Sequence, residues 1–468
     1  MSNSFLGINT AESALIANQA VLDVISQNVS NVNTPGYSQQ TANLTQMPPY
    51  TASGVAFQSS QIGTGVQVSS ITRATDEFVT QRLLSATANQ SQSNQLETTL
   101  NEVQGLYNEP GTNGLSNLMN TFFTSFQTLA TNSEDSGIRT TVISNAQAMT
   151  GMFNSVSAGL TNMTTNLQGS IQSTITQANN LVGQIAKLNQ QIMDGVVNDT
   201  HPNDLMDQRD QLISQLGNLV GVTTSQELSP SGQPNGMVDV YIGGMSIVQG
   251  TQAYKIPTQT ETINNQPYLV NDGVPVQISG GSLGGMVQSI NLISGYQSNL
   301  DTIASTLISQ VNQLHSSGYG LDGETGLNFF TGTNAATIQV NPELVSNPNA
   351  IAAATPPAAG QSVSASNGDN ASAISNLANT PIFGNNSILQ QYNANIAKIG
   401  ADAQSFTNDY NNQTQIVQQL QSMQSSVSGV NLDEQMTNML QYQRSYQAAA
   451  EMVTNINSML DSLLSMVQ

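Results

Sequence analysis

Apolar residues at both ends of this 468-residue chain recur at alternating spacings of three and four. Near the N-terminus the series is Ile8, Ala11, Leu15, Asn18, Leu22, Ile25, Val29 and Val32, a heptad pattern interrupted once, by Asn18. At the C-terminus it runs Leu432, Met436, Met439, Gln443, Tyr446, Ala450 and Val453. After a small slip it continues as Ile456, Leu460, Leu463 and Val467. Asp433 and Glu434 stand in the first turn of this second series, where their charge complements a helix dipole. A helix of about 28 residues is ~42 Å long. Each residue of its apolar stripe gains about 1.5–3 kcal/mol when fully buried. Pairing the two ends of the chain as a coiled coil covers both stripes at once. Two ordinary core helices are the alternative, but the seams are narrow and lie at the termini, where chains usually fray.

Between the ends the helical period recurs. A helical pattern over Leu83–Tyr107 is broken by "YNEPGTNG", and "LSNLMNTFFTSFQTLA" then stacks Leu118, Phe122, Phe126 and Leu129 on one face. No proline interrupts Ile138–Met193, which the spacing predicts as one helix of about 55 residues. Shorter helices are expected at Asp204–Val220 and Leu292–Leu314, and a last long one over roughly Ile396–Met423. Around 222–285 the period changes to two, with Gly and Pro turns, so a small inserted β-rich domain is expected there. The turn-rich stretch beyond Leu314 has no secure assignment. The fold expected is therefore mainly α. The paired ends occupy 1–36 and 430–468, and a rod-like helical bundle of discontinuous segments occupies 37–221 and 286–429. The β-rich insertion spans 222–285.

Charge narrows the function. Only 8% of residues are charged, against roughly 25% in ordinary soluble domains. The deficit is mostly basic: three Lys and five Arg face 29 acids, for a net charge of −21, and none of the bases precedes Arg73. A basic track for phosphates is missing, which argues against nucleic acid and against anionic lipid. No apolar run approaches the ~18 residues needed to insert in a membrane. The chain has no cysteine, hence no disulfide framework, thiolate metal site or Cys nucleophile. A secretory signal pattern is not seen either, so composition by itself reads as cytoplasmic and soluble.

Three stretches invite a chemical reading. "NDTHPNDLMDQRDQL" gathers Asp199, His201, Asp204, Asp207 and Asp210, but in no HExxH, HxH or EF-hand spacing. It is better explained as a helix start, with Asn203 as cap, Asp204 and Asp207 on the dipole, and Arg209 on the inner face, where it needs a carboxylate or carbonyl partner. "GGSLGGM" lacks the GK[ST] ending of a phosphate loop and reads as a tight turn into the next helix. Finally, "NVSNVNTPGYSQQ" places Asn28 and Asn31 as a polar strip beside the apolar seam. Pro35 halts the helix, and Pro35-Gly36 fits the centre of a type II turn, with Tyr37 opening an extended segment. No G-x-S-x-G elbow or His-paired nucleophile is present, so catalytic groups, cofactors and metals are not expected.

Two terminal motifs carry a resemblance. "ANQAVLDVISQNVSNVNTPGYSQQ" (Ala17–Gln40) and "VNLDEQMTNMLQYQRSYQAAAEMVTNINSMLDSLL" (Val430–Leu464) resemble the N- and C-terminal signatures of the bacterial flagellar axial proteins, namely rod, hook and hook-associated proteins. The interior motifs "PNDLMDQRDQL", "GGSLGGM", "VNQLHSSGYGLDGETGLNFF" and, more weakly, "GDNASAISNLANT" resemble the hook-associated branch.

The resemblance implies a structural subunit at the junction of hook and filament, exported unfolded through the flagellar type III apparatus and therefore extracellular. It implies assembly with copies of itself in a ring, with the hook protein, and with a second junction protein (hook-associated protein 3). An export chaperone is implied on the C-terminal helix. The assembly seam would comprise Ile8, Leu15, Leu22, Ile25, Val29, Leu432, Met436, Met439, Tyr446, Val453, Ile456, Leu460 and Leu463. Asn28, Asn31, Asn33, Thr34, Pro35, Gly36 and Tyr37 would form the elbow where the inner-tube helix leaves for the outer domain. A hook or distal-rod protein shares both terminal signatures and is the nearest rival, with a cytoplasmic coiled-coil scaffold behind it.

Overall fold

A computed structural model describes every residue except 1, 52–60, 112, 199, 201, 230–231, 233, 264–265, 279, 357–363 and 468. Helix α1 (Ser2–Ser30) leads into a hairpin of β1 (Gln40–Gln46) and β4 (Val66–Arg73), between which lie the short strands β2 (Tyr50–Thr51) and β3 (Gln61–Ile62). Four helices follow: α2 (Glu77–Tyr107), α3 (Leu115–Thr131), α4 (Ser136–Val197) and α5 (Asn203–Val220). Strands β5 (Thr223–Leu228), β6 (Pro234–Ile242), β7 (Met245–Gln249) and β8 (Gln252–Ala253) form one antiparallel sheet. A second is made by β9 (Thr260–Ile263), β10 (Gln266–Asn271) and β11 (Val274–Gln277). Then come α6 (Gly281–Ser317), β12 (Phe330–Thr331), β13 (Gln339–Val340), α7 (Pro342–Ser346), α8 (Asp369–Asn376), α9 (Ile388–Ser428) and α10 (Leu432–Val467). The chain is thus mainly α, and the proline-free stretch is one helix of 62 residues.

Residues 1–89, 176–256 and 413–468 form one compact unit, and residues 90–175 and 257–412 another. The division differs from the expected boundaries. It cuts the 222–285 stretch between Ile256 and Pro257, so that the two sheets belong to different units. In the first unit, buried Asn189 of α4 donates to the carbonyls of Val238 (2.9 Å) and Gly250 (2.7 Å) and accepts from the Val238 N–H. Asn179 accepts from the Ile256 N–H at 2.8 Å. These amides satisfy backbone groups of the four-stranded sheet, which binds it to α4.

Also in the first unit, α1 and α10 run antiparallel. Asn28 meets Gln435, and a Cβ built on Gly7 would lie 3.3 Å from Ile456 Cδ1, so equal steps along the two helices go in opposite directions. An adjacent side of α1 packs on the β1–β4 hairpin, where the Val66 N–H donates to Ser13 Oγ at 3.3 Å. Gly65 there has φ +122° and no room for a Cβ beside Ser13.

The second unit has an aromatic centre. Phe122 and Phe126 of α3 meet Phe329 and Phe330, and Phe123 meets Phe122, all edge-on or tilted with ring centroids 4.8–5.8 Å apart. The turn-rich stretch without a sequence assignment thus supplies two of these five rings. "GGSLGGM" is not a turn as a whole. Only Gly280 and Gly281 have positive φ, and α6 begins at Gly281. A Cβ on Gly285 would come within 2.8 Å of the Gln92 carbonyl and 2.7 Å of Gln95 Cβ, so glycine here lets α6 approach α2 closely.

His315 also lies in this core. Its Nε2 accepts from the Ala352 N–H at 3.0 Å, so Nδ1 carries the proton donated to the Leu327 carbonyl at 2.7 Å. Burial pushes its pKa down from 6.5 to about 4, opposed by the Leu327 carbonyl and reinforced by Arg139. The unfolded chain therefore takes up a proton between pH 6.5 and 4 that the folded chain refuses. Stability is full above the unfolded value and falls as pH drops through this window, by about 3 kcal/mol in all. Urea unfolding of wild type and His315→Asn should show this slope in the wild type alone. Equal slopes would remove His315 as its source.

Candidate functional site

The first unit holds the densest polar cluster, at the end of α1. The helix stops at Ser30, before Pro35, and the chain turns through Asn31 and Thr34. The Tyr37 N–H donates to the Thr34 carbonyl across Pro35-Gly36 at 3.2 Å, and Gly36 has φ +82°, the geometry of a type II turn. Asn31 Nδ2 donates back to the Gln27 carbonyl and its Oδ1 accepts from the Thr34 hydroxyl. Asn33, Thr34, Pro35 and Gly36 are exposed, so the tip of the elbow faces solvent.

Asn28 lies beneath it, buried, with its amide fully used. Nδ2 donates to the Gln40 carbonyl (2.8 Å) and to Gln435 Oε1 (3.1 Å), while Oδ1 accepts from the Tyr37 hydroxyl (2.8 Å) and the Gln40 N–H (2.9 Å). Asparagine suits this place because its short amide offers two donors and two acceptor lone pairs at once. One side chain thus ties the end of α1 to the first residue of β1 and to the start of α10.

The first two turns of α5 grip the same elbow. Asp204 accepts from Gln27 Nε2 at 3.0 Å and from Gln40 Nε2 at 2.9 Å. Asp207 accepts from the Ser38 N–H at 3.1 Å. Arg73, the last residue of β4, bridges Asp207 (2.7 Å) and Asp210 (2.9 Å). Arg209 is buried; its Nη2 donates to Asp210 at 3.0 Å and its Nη1 to the Gly236 carbonyl at 2.6 Å. Burial pushes the Asp207 carboxyl up against the opposing pull of Arg73 and Ser38. Burial, with Asp204 and Asp207 nearby, pushes the Tyr37 phenol up to about 12, so it remains a donor at neutral pH.

The expected capping role of Asn203 is not what the structure has. Pro202 precedes the first helical residue and no side chain caps it. Asn203 is that first residue, and its Nδ2 donates instead to Gln40 Oε1 (3.1 Å) and the Ile71 carbonyl (2.9 Å). The amide finds two buried acceptors in the hairpin, which outweigh its local capping option. Asp199 and His201 lie outside the described residues. Among the described residues no three His, Asp or Glu side chains converge to hold a metal, and no helix is long and apolar enough to cross a membrane.

The seam differs in register from the heptad reading. On α1, Ile25 is buried and Ile8, Leu15, Leu22 and Val29 are half-buried, while Ala11, Ala17, Val21 and Val24 are covered more fully. Two partners, α10 and the hairpin, bury a stripe wider than one partner would. On α10 the covered positions are Gln435, Asn438, Met439, Tyr442, Ala449, Val453, Ile456 and Leu460. Leu432, Met436 and Tyr446 remain exposed, which corrects their place as covered positions of the intrachain pair. The side chain of Leu463 lies outside the described residues.

Three family descriptions match the chain. The flagellar hook-associated protein FlgK helical domain covers residues 100–330, the flagellar basal body rod FlgEFG C-terminal region covers 421–466, and the flagella basal body rod protein covers 8–37. The chain is similar to flagellar hook-associated protein 1 of Bacillus subtilis, at 29% identity over 99% of each chain, and of Salmonella typhimurium, at 28% over 98% of this chain and 99% of that one. Flagellar hook-associated protein 1 is thus the protein that this chain matches over nearly its full length. Its fold is similar to that of the flagellar hook junction protein FlgK of Burkholderia pseudomallei, with a TM-score of 0.61, 18% identity, and coverage of 74% of this chain and all of that one. These matches make the chain a structural component of the flagellum. Within the flagellar hook-associated protein 1 family match, the two rod-type regions coincide with α1 plus the elbow and with α10 plus the end of α9, the segments that the polar cluster joins.

Proposed function

We propose that the chain is a structural subunit of the hook–filament junction, built into a ring of identical copies through α1 and α10. The observation that carries this reading is the apolar surface left on α10 after α1 has packed against it. Leu432, Met436 and Leu440 are 45–57% exposed on one side of the helix, and Met452, Met459 and Met466 are 54–81% exposed on another, spaced by heptads. Exposed apolar ridges on a long helix favour neighbours of the same kind.

In this reading residues 1–36 and 430–468 are the inner-tube domain, and the elbow clamped by α5 carries the chain from there to its outer domains. The hook protein and hook-associated protein 3 are the expected axial neighbours, and a chaperone holds α10 before export in the unfolded state through the flagellar type III apparatus. Sparse charge along the helical seams lets copies shift slightly at modest cost, as a joint between a bent hook and a stiffer filament requires.

Immunogold labelling of purified flagella should give one band at the hook–filament boundary. Deleting Leu432–Gln468 should leave the remaining chain folded and remove that band. Uniform labelling of the hook, or an intact band after the deletion, would overturn the proposal.

A further inference from the structure

The terminal helices are strongly unbalanced in charge. Helix α1 carries Glu12 and Asp23 and no base, while α10 carries Asp433, Glu434, Glu451 and Asp461 with Arg444 as its one base. Packing such helices side by side in a ring concentrates like charge, which opposes assembly unless something compensates it. Arg444 is exposed and, among the described residues, makes no ion pair.

Its position is specific. Arg444, Asp433 and Glu451 lie on the side of α10 opposite Tyr442 and Ala449, which face α1, so this stripe points outward. Glu451 follows Arg444 by one heptad, about 10.5 Å along the axis. The exposed methionines 452, 459 and 466 repeat with the same period. Sliding one copy along its neighbour by one heptad therefore restores the apolar packing and brings Arg444 level with Glu451. Asp433 lies eleven residues from Arg444, a displacement that would break the heptad match.

We propose that Arg444 of one copy pairs with Glu451 of the neighbouring copy, and that this pair selects the one-heptad stagger among apolar registers that are otherwise nearly equivalent. The inference rests on assembly of identical copies through α10, as proposed above. The surface it describes fits a second copy of this chain, apolar on the flanks and acidic one heptad away.

The test uses the full-length chain as the sole copy in flagellated cells, with electron microscopy of isolated hooks scoring the junction layer. Arg444→Glu should reduce the fraction of hooks with a layer at least tenfold, and Arg444→Glu with Glu451→Arg should restore it to within about twofold of wild type. Because the chain has no cysteine, the double variant Arg444→Cys with Glu451→Cys should also give disulfide-linked multimers in assembled flagella. That second readout stands if a charge variant is poorly exported. A full layer with Arg444→Glu, failure of the charge swap with both chains exported, or absence of multimers would each overturn the pair. A wild-type chain that forms no layer would instead overturn the ring itself, and the pair with it.

Discussion

Replacing Arg73 with methionine should destabilise the first unit by about 3–5 kcal/mol at pH 7. Its guanidinium bridges Asp207 and Asp210 at 2.7 and 2.9 Å, and Asp207 is nearly inaccessible to water. Without Arg73 the Asp207 carboxylate keeps only the uncharged backbone and side-chain donors of Ser38. Arg209, on the same helix, is already engaged by Asp210 and the Gly236 carbonyl. Burial already pushes the Asp207 carboxyl up, and removing Arg73 lets burial act unopposed by charge. A carboxyl whose folded pKa lies above its unfolded value of 3.8 takes up a proton on folding, so the loss shrinks as pH falls through the folded value. Urea unfolding at pH 7 and pH 5 should therefore separate variant from wild type most at pH 7. A difference below about 1 kcal/mol at pH 7, or one that grows in acid, would show that the bridge is not what holds the hairpin to α5.

The second large effect is expected at Asn28. Leucine there fits the apolar surroundings of the seam but leaves the Gln40 N–H, the Gln40 carbonyl, Gln435 Oε1 and the Tyr37 hydroxyl without their shared partner. Each orphaned buried group costs about 1–3 kcal/mol, and water reaching the more open Tyr37 recovers part, so a net loss of about 3 kcal/mol is expected. The damage should be uneven. Gln435 is the buried residue near the start of α10, so amide hydrogen exchange should accelerate more around 435–446 than around 453–460, where Val453, Ile456 and Leu460 still pack. Asn28→Asp keeps the acceptors and loses both donors, and should behave nearly as badly. A leucine variant with unchanged exchange in α10 would mean that the Asn28–Gln435 bond does not couple the elbow to that helix.

Helices were legible in the sequence wherever one apolar face met one core. The long helix, the aromatic face of α3 and the pairing of the two ends follow from period alone. The register of that pairing does not, because α1 is covered on two sides and α10 on one, whereas a heptad assumes one seam for each. The β1–β4 hairpin went unseen for a related reason. Its β1 strand, "QTANLTQ", keeps only Gln40 buried and shows no apolar alternation. At the elbow, the Pro-Gly bend and the asparagines were visible, but their partners Gln40 and Gln435 were not, since an uncharged amide announces no partner at long range. The arginines came closest to a signal. In a chain with so few bases, Arg73 and Arg209 had to be paired with some of the nearby acids, and "NDLMDQRD" offered the nearest supply.

Where those bases sit affects how the folded chain meets proteases that cut after Lys or Arg. Arg139 and Arg209 are buried and Arg73 is nearly so, its side chain spanning two carboxylates. Arg82, Lys187, Lys398 and Arg444 are exposed but lie within helices, whose backbone cannot extend into a protease cleft without local unfolding. Only Lys255, just past β8, is exposed on extended chain. Folding thus reduces eight scissile positions to one, and the same scarcity of cations that leaves the terminal helices acidic also leaves the folded subunit sparing of cleavage sites.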